Sequence, residues 1–361
     1  MIQFGTGGWR AVIGSDFIER NICLVTEGIC ALMQEEGKTG KPLIVGYDHR
    51  FLSDVAAKWM AEVFAAYGVT VWFMNRSAPT PLVMHTVKRQ NLYYGVEITA
   101  SHNPSDYNGI KLIVEEGRDA PLETTGLLEK LIAGIEEKGV PSPRVPFAKA
   151  VEEGLVVYRK NPFNDFIDDI LAVLDVQTIR DHGARVLFDP MYGSGTYPLM
   201  VILCTARCTV DMIHNTRDAH FGGHHPAPSV AGLEELRTRV VAGKYELGIA
   251  LSMLYDFIWD IFCDWYIELA KTRLNDKESE KNLVAQKVIS YVLTGVLKLL
   301  HPFMPFITEE IYRNLPGTTD SIMAKEYPTV SDAFRFPEDE GKITGVIDAI
   351  TAIRARRSEM N

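Results

Sequence analysis

The chain is poor in cysteine, with five in 361 residues. An odd number without metal-type spacing argues against a secreted disulfide scaffold. Cys204 and Cys208 stand four apart, with no second Cys or His pair at zinc spacing. An excess of positive charge is missing too. Lys plus Arg total 37 against 47 Asp plus Glu, a net charge of −10. Residues 251–361 hold 13 of the basic and 17 of the acidic side chains, and residues 1–250 hold 24 and 30. Neither part is a basic body, so bulk attraction alone will not hold nucleic acid. Low-complexity tracts and 20–50-residue repeats are absent. The chain does not open on a basic region followed by an apolar run, so no signal peptide is expected. One stretch, Val288 to Ile307, approaches membrane length. Lys298 near its centre costs about 2.5–3.5 kcal/mol on the insertion scale, and Pro302 and Pro305 interrupt it. It reads as a buried bundle helix followed by a break, in a soluble, cytoplasmic protein with no membrane partner.

What is present is an ordinary globular balance, 47% hydrophobic and 23% charged, long enough for two or three domains at roughly 150 residues each. In the first 150 residues helical and strand patterns alternate, which means α/β architecture. Ile22, Val25, Ile29, Leu32 and Met33 repeat at helical spacing. Pro42–Gly46 is a short apolar run, and a helix is expected from Ser53 to about Tyr67, capped by Ser53 or Asp54. Strands are expected at Val69–Met74, Leu92–Thr99 and Gly109–Val114. The stretch Gly139-Val140-Pro141-Ser142-Pro143-Arg144-Val145-Pro146 reads as a connector. A second α/β unit follows, with a strand at Arg185–Phe188, a turn at Gly193-Ser194-Gly195 and a helical or extended apolar segment after it. Leu233, Leu236 and Val240 share a helix face, and Tyr245–Ala250 forms a last strand. From Leu251 onward no β-like alternation is obvious. Leu254, Phe257, Ile258, Ile261, Phe262 and Trp265 form a broad apolar helix face, residues 282–300 a second helix, and Ile343, Val346, Ile347 and Ile350 a later one. This third block reads as an α-bundle.

The sharpest chemical signal is Thr99-Ala100-Ser101-His102-Asn103-Pro104, ahead of Tyr107-Asn108-Gly109-Ile110-Lys111. A serine on a loop at a strand's end is open to reaction, and a neighbouring His and Lys orient phosphate charge or move a proton. The competing reading is an Asn-Pro turn with a capping Ser. Asp256, Asp260, Asp264 and Glu268 form a carboxylate stripe; without a Glu-x-x-His partner it reads as a solvated or Arg-facing polar face rather than a metal site. His220, His224 and His225 flank Gly222-Gly223, where zinc competes with a plain glycine turn. Gly193-x-Gly195 is a weak nucleotide signal without the rest of the fingerprint.

The serine segment resembles the phosphoserine loop of the α-D-phosphohexomutases, the phosphoglucomutase and phosphomannomutase family. Further stretches are similar to the same family, in family order: Phe4-Gly5-Thr6-Gly7-Gly8-Trp9-Arg10, Gly46-Tyr47-Asp48-His49-Arg50, Ala78-Pro79-Thr80-Pro81, Asp189-Pro190-Met191-Tyr192-Gly193-Ser194-Gly195, and Phe221-Gly222-Gly223 leading to Pro226-Ala227-Pro228. The resemblance implies that Ser101 carries the phosphoryl group, that Arg10 and His102 contact it, and that Lys111 is a general acid/base. It also implies substrate contacts at Thr6, Gly7 and Asn103. Hexose phosphate is then the expected ligand and a hexose bisphosphate the phosphoryl primer. The family continues into a loop whose three aspartates bind Mg²⁺. Here Gly248-Ile249-Ala250 runs into Leu251-Ser252-Met253-Leu254, one hydroxyl and no carboxylate where a hard cation wants oxygen ligands. Any metal would be held through phosphorylated Ser101 alone. The family's third and fourth domains, with the sugar-selecting and substrate-phosphate loops, have no counterpart.

A second resemblance starts where the first stops. Residues 254–268 (with Cys263-Asp264-Trp265-Tyr266), Leu300-His301-Pro302-Phe303-Met304-Pro305-Phe306-Ile307-Thr308-Glu309-Glu310, and the ending Ile353–Asn361 resemble valyl-tRNA synthetase, in its anticodon-binding domain. The implied partner is valine tRNA, with Lys271, Arg273, Arg354 and Arg357 as contacts. Three basic residues near a chain end (Arg354, Arg356, Arg357) also fit a solvated helix terminus favoured by the macrodipole. The synthetase signatures His-Ile-Gly-His and Lys-Met-Ser-Lys-Ser do not occur, which excludes aminoacylation by this chain. The expected fold is therefore α/β phosphohexomutase-type domains, one complete (1–150) and one truncated (151–250), followed by an all-α helical bundle (251–361). The expected function is phosphohexose binding with incomplete phosphotransfer, inactive or nearly so as a mutase. The alternatives are a tRNA-binding module and a non-functional fusion.

Overall fold

The computed structural model describes residues 2–5, 8–229, 232–250, 268–275, 280–301, 305–318 and 320–326, with positions 328 and 336. The chain divides into two compact units, Met1–Met253 and Leu254–Asn361.

The first unit begins β1 (Trp9–Val12), α1 (Glu19–Glu35), β2 (Leu43–Tyr47), α2 (Ser53–Ala66), β3 (Val71–Met74), α3 (Thr80–Arg89), β4 (Tyr94–Ile98), β5 (Tyr107–Val114), β6 (Arg118–Asp119), α4 (Leu122–Glu136), α5 (Phe147–Glu152) and β7 (Val156–Arg159). These strands form one sheet in the order β1-β5-β4-β2-β3-β7, with β6 on β5. β4, β2, β3 and β7 run parallel, while β5 is antiparallel to both β4 and β1. The helical repeat expected in α1 is there, and its five residues are all buried. Gly28 permits the close approach of α1 to α4, since a Cβ there would stand 2.4 Å from Ile132 Cγ1. β7 lies past the Pro-bearing connector and past residue 150, yet pairs with β3, Val71 opposite Val156. The first sheet thus draws on chain from both sides of the connector.

The start of α2 departs from expectation. Leu52 holds the cap position at φ +65°, and no side chain caps the helix. The Ser53 hydroxyl donates instead to Asp48 Oδ1 at 2.7 Å, and Asp54 faces Arg217 at 3.7 Å. The longer-range acceptor outcompetes the local turn.

The unit continues through α6 (Pro162–Val173), α7 (Val176–His182), β8 (Arg185–Asp189), α8 (Thr196–Thr205), β9 (Thr209–Met212), α9 (Glu234–Gly243) and β10 (Leu247–Ala250). A second sheet is parallel throughout, ordered β10-β8-β9. The segment after the glycine turn is helical, as α8. Leu233 and Leu236 are buried with Leu187 and Ile213, and Val240 packs against them.

In the second unit the described elements are α10 (Glu268–Asn275), α11 (Glu280–Leu300) and α12 (Pro305–Arg313). Asn282 Nδ2 donates to the carbonyls of Arg273 and Leu274, joining α11 to the end of α10. Leu297, Tyr312 and Ile322 form a small core. The long helix ends at Leu300, followed by His301 in a turn, and a further helix spans Pro305–Arg313; the expected break at Pro302 lies outside what is described. Among the described residues one helix, Lys281–Leu300, is long and apolar enough to cross a membrane by length and composition. The later helix at Ile343–Ile350 and the side chains of the carboxylate stripe lie outside what is described.

Candidate active site

In an open parallel sheet the crevice for a ligand lies beyond the carboxyl ends of the strands, where the strand order reverses. In the first sheet that reversal is at β2, whose chain goes to β3 on one side and returns to β4 on the other. A cavity of about 460 Å³ opens there, bordered by Asp48 and His49 after β2, Thr99, Ser101 and His102 after β4, and Met191 after β8.

Ser101 is exposed, at φ +54°, a left-handed conformation costly for a residue with a Cβ. Its N–H donates to Thr99 Oγ1 at 2.9 Å, and its Oγ lies 3.3 Å from His102 Nδ1. One side chain enforces this turn. Arg50, fully buried, donates from Nη2 to the carbonyls of Ser101 (2.7 Å) and Asn103 (2.6 Å), and from Nη1 to those of Pro104 (2.7 Å) and Tyr107 (3.0 Å). Asp48 Oδ2 sits 3.5 Å from its Nε, and the Phe221 ring lies 5.0 Å from its guanidinium carbon. Burial lowers the proton affinity of Arg50, while Asp48 opposes that shift. Asp48 is itself fixed by the Arg50 N–H and the Ser53 hydroxyl. Asn108 extends the network, donating to Ser53 Oγ and accepting from the Gly109 N–H.

His49 Nδ1 lies 2.7 Å from the Tyr192 carbonyl. A carbonyl only accepts, so Nδ1 carries the hydrogen and, in the neutral ring, Nε2 is the acceptor. Burial pushes this imidazole below its ordinary pKa, with the Tyr192 hydrogen bond opposing. Tyr192 is held in turn: its N–H donates to the His214 carbonyl, and both residues are left-handed. His214 faces a carboxylate on each nitrogen, Asp189 at 3.0 Å and Glu235 at 3.2 Å.

Of the residues singled out from sequence, Ser101 and His102 border the cavity, whereas Arg10, Asn103 and Lys111 stand outside its lining. Arg10 is exposed on β1 opposite Gly109. Lys111, on β5, pairs with Asp119 at 3.1 Å. Lys271 and Arg273 are exposed on α10. Thr6, Gly7, Arg354, Arg356 and Arg357 lie outside the described residues. Sequence reasoning places Arg50 in the Gly46–Arg50 stretch without giving it a role, and does not single out Glu97. Glu97 interrupts the apolar run of β4, and that lone charge in a central strand was the available signal.

Residues 1–139 match the phosphoglucomutase/phosphomannomutase α/β/α domain I, and residues 164–252 match domain II. Residues 240–361 match the anticodon-binding domain of tRNA ligase. The chain carries domains of two families. Its phosphoglucomutase/phosphomannomutase part superposes on a protein assigned as a phosphomannomutase from Thermus thermophilus, with TM-score 0.59, 26% identity, and coverage of 69% of this chain and 54% of that one. A family protein from Burkholderia thailandensis, at 19% identity and TM-score 0.57, shares the fold, with 69% of this chain and 52% of that one covered. The other part is 42% identical over 121 residues to the valine–tRNA ligase of Staphylococcus carnosus, and 40% to that of Staphylococcus aureus strain Newman. Each of these matches covers 34% of this chain and 14% of the ligase. The chain thus spans about half of the solved mutase relatives and about one seventh of the curated ligases. Within the phosphoglucomutase/phosphomannomutase part the cavity lies between the two matched domains, Ser101 and His49 on one side and Met191 and Phe221 on the other.

The Mg²⁺ that the resemblance implies requires several oxygen ligands. Among the described residues no group of three His, Cys, Asp or Glu side chains could hold a metal ion, the His220, His224 and His225 cluster included. The sequence after Ala250 offers no carboxylate before Asp256. Among the described residues the donor set does not fit Mg²⁺.

Proposed function

We propose that residues 1–250 bind a hexose phosphate in the cavity and pass a phosphoryl group through Ser101. The observation that carries this reading is the exposed Ser101 at the cavity rim, its turn held open by four carbonyls bound to buried Arg50. Phosphoryl transfer depends on positioning and charge stabilisation more than on covalent help. In this reading Ser101 Oγ attacks the phosphorus of a hexose bisphosphate, the sugar oxygen leaves, and phosphoserine brings a charge of about −1.5 to −2. His102 and Arg10 meet that charge, Lys111 moves the proton as general acid/base, and Thr6, Gly7 and Asn103 contact substrate. Labelled glucose 1,6-bisphosphate should label the wild type and not Ser101→Ala; equal labelling of both sinks the assignment. Complete conversion of glucose 1-phosphate to glucose 6-phosphate by residues 1–250 is not expected, because the run Leu251-Ser252-Met253-Leu254 after Ala250 holds no carboxylate for a metal. A turnover of roughly 1 s⁻¹ or more, within the ordinary enzyme range, would overturn that part.

A second reading rests on the anticodon-binding match and belongs to residues 251–361: an all-α bundle that holds valine tRNA. Lys271, Arg273, Arg354 and Arg357 are the proposed phosphate contacts. Valine tRNA should outcompete an unrelated tRNA at physiological salt, and Arg354→Ala with Arg357→Ala should weaken retention. Equal retention of all tRNAs, lost together as salt rises, leaves only unspecific attraction. If neither ligand binds, the remaining reading is a fusion without function.

A further inference from the structure

Several acceptors at the cavity's edge are already committed or closed. Asp48 Oδ1 takes the Arg50 N–H and the Ser53 hydroxyl, and Thr99 Oγ1 takes the Ser101 N–H. Glu97, at the centre of β4, is fully buried, with both oxygens sealed from solvent. His49 differs. It stands just after β2, half-buried and bordering the cavity, whereas Tyr192, whose carbonyl lies 2.7 Å from its Nδ1, is not part of the cavity wall. The two nitrogens of an imidazole point to opposite sides of the ring. The bond that turns Nδ1 toward Tyr192 therefore turns Nε2 away from it, to the cavity side. Among the described residues no donor meets Nε2, and solvent reaches it.

The carbonyl that fixes the ring is itself held. The Tyr192 N–H donates to the His214 carbonyl, the Tyr192 and His214 rings lie 5.1 Å apart, and His214 Nδ1 meets fully buried Asp189 at 3.0 Å. The ring hangs from the first sheet, and its tautomer is set from the second. The charged groups acting on it are Arg217, which faces Asp54 of α2 at 3.7 Å, and Asp48, its neighbour in sequence. Burial and Arg217 disfavour the imidazolium, while the Tyr192 bond and Asp48 favour it, and the balance lies below the ordinary histidine value. The ring is then neutral at pH 7, and Nε2 keeps its lone pair. Much of the remaining wall is apolar, with Phe166 and Ile170 of α6 and Leu199 and Ile202 of α8. In such a cavity a few fixed polar groups decide how a ligand lies. A sugar-phosphate dianion only accepts hydrogen bonds, so Nε2 repels that end of a ligand, whereas a hydroxyl donates to it.

We propose that His49 is a specificity-determining residue: held by the Tyr192 carbonyl as the Nδ1–H tautomer, it presents Nε2 to the cavity as the acceptor for one sugar hydroxyl. It orients the hydroxyl-bearing face of the ligand and leaves the phosphate to the cationic side of the site. The ligand part of this inference rests on the reading of the cavity as a hexose-phosphate site; the tautomer does not.

Nitrogen NMR of the full chain labelled at histidine reads the tautomer, with His49 assigned by subtracting His49→Asn. The wild type should show a neutral ring at pH 8, protonated at Nδ1; a proton on Nε2 overturns the proposal. Calorimetric binding of glucose 6-phosphate reads the contact. His49→Asn keeps a donor for the Tyr192 carbonyl and removes the acceptor, so affinity at pH 8 should fall about three- to tenfold, the span of one neutral hydrogen bond. His49→Gln puts an amide oxygen near the place of Nε2 and should recover most of that loss. Monodeoxy analogues, one lacking each hydroxyl, locate the partner: one of them should bind wild type and His49→Asn alike, because the contact is already gone. The wild-type advantage should fade as pH falls, with the midpoint that the nitrogen shifts record. Unchanged affinity in His49→Asn, or losses that add for every analogue, overturns the hydroxyl contact. A wild type that takes no glucose 6-phosphate at any pH overturns the hexose-phosphate reading and the hydroxyl contact with it, and the nitrogen shifts still decide the tautomer.

Discussion

The first sheet and the second follow one parallel-strand plan at different depths. All five residues of β4 are buried, and so are Leu43, Ile44 and Val45 of β2. Layers on both faces of a parallel sheet produce this. In the second sheet β10 is exposed at Leu247 and Gly248 and half-buried at Ile249 and Ala250. Among the described residues the second core comprises Leu187, Ile213, Leu233 and Leu236, joined by Val240, Tyr245 and Ala250. The groups that set the site's geometry hang from the deeper sheet: Asp48, Arg50, Glu97 and the Ser101 turn. The shallower one supplies a wall, through Met191 and Phe221. Precision is placed where burial is complete.

The largest test of this contrast is Arg50→Met. Removing a buried cation that serves four carbonyls should cost about 3–5 kcal/mol, the scale for breaking a buried charged pair. Urea unfolding of the full chain measures it, and a loss below about 1 kcal/mol would mean that the Ser101 turn holds its shape without the guanidinium. Next come matched truncations in the two cores. Phe64→Ala, in α2 at a fully buried position, should cost about 3–5 kcal/mol, and Leu236→Ala about 2–3 kcal/mol. Native-state hydrogen exchange should rank the same way, with β4 amides the slowest and β10 amides among the fastest. Equal protection would erase the contrast.

Glu97→Gln sharpens it through pH. Burial raises the folded-state pKa of Glu97 above that of the unfolded chain. The folded state therefore holds a proton that the unfolded state has released, and wild-type stability falls as pH rises from about 4.3, the unfolded value, to the folded pKa. Glutamine does not titrate. The variant should match wild type near pH 4 and melt higher at pH 8; an equal Tm at both would mean that the carboxyl carries no burial penalty.

Most of the scaffold around the site was legible. The five-residue repeat of α1, the strands either side of Thr99-Ala100-Ser101-His102-Asn103-Pro104, and the helix at Leu233–Val240 follow from apolar spacing, which burial enforces. The start of α2 was misread because Ser53 has a stronger acceptor, Asp48, than its own helix N-terminus. β7 was hidden because pairing across a proline-bearing connector leaves no local pattern. Arg50 and Glu97 were hidden for a related reason: a buried charged residue is explained by what the fold brings in from elsewhere, the Pro104 and Tyr107 carbonyls for Arg50 and the opposing Gly46 position that leaves room for Glu97. Position in the sequence gives only their neighbours. The exposed turn that carries Ser101 was legible through its loop, whereas the device that shapes the turn was not.

The smallest expected effect compares one exposed ion pair from each region. Lys149–Glu153 on α5 is 3.6 Å long and Arg239–Glu235 on α9 is 2.6 Å, both at i,i+4 spacing. Exposed helix pairs of this kind contribute about 0.3–0.5 kcal/mol, and salt screens them. Lys149→Ala and Arg239→Ala should therefore cost about the same, a few tenths of a kcal/mol, despite the shorter contact in α9. Glu235→Ala should differ. Glu235 also meets His214 Nε2, while His214 Nδ1 meets Asp189, which is fully buried. Losing Glu235 takes one of two carboxylates from a ring wedged against the Tyr192 turn, so its cost should exceed that of Arg239→Ala and persist at 1 M NaCl. If both α9 substitutions vanish together at high salt, the His214 contact is only another surface pair, and the second region has no buried electrostatic anchor to set beside Arg50.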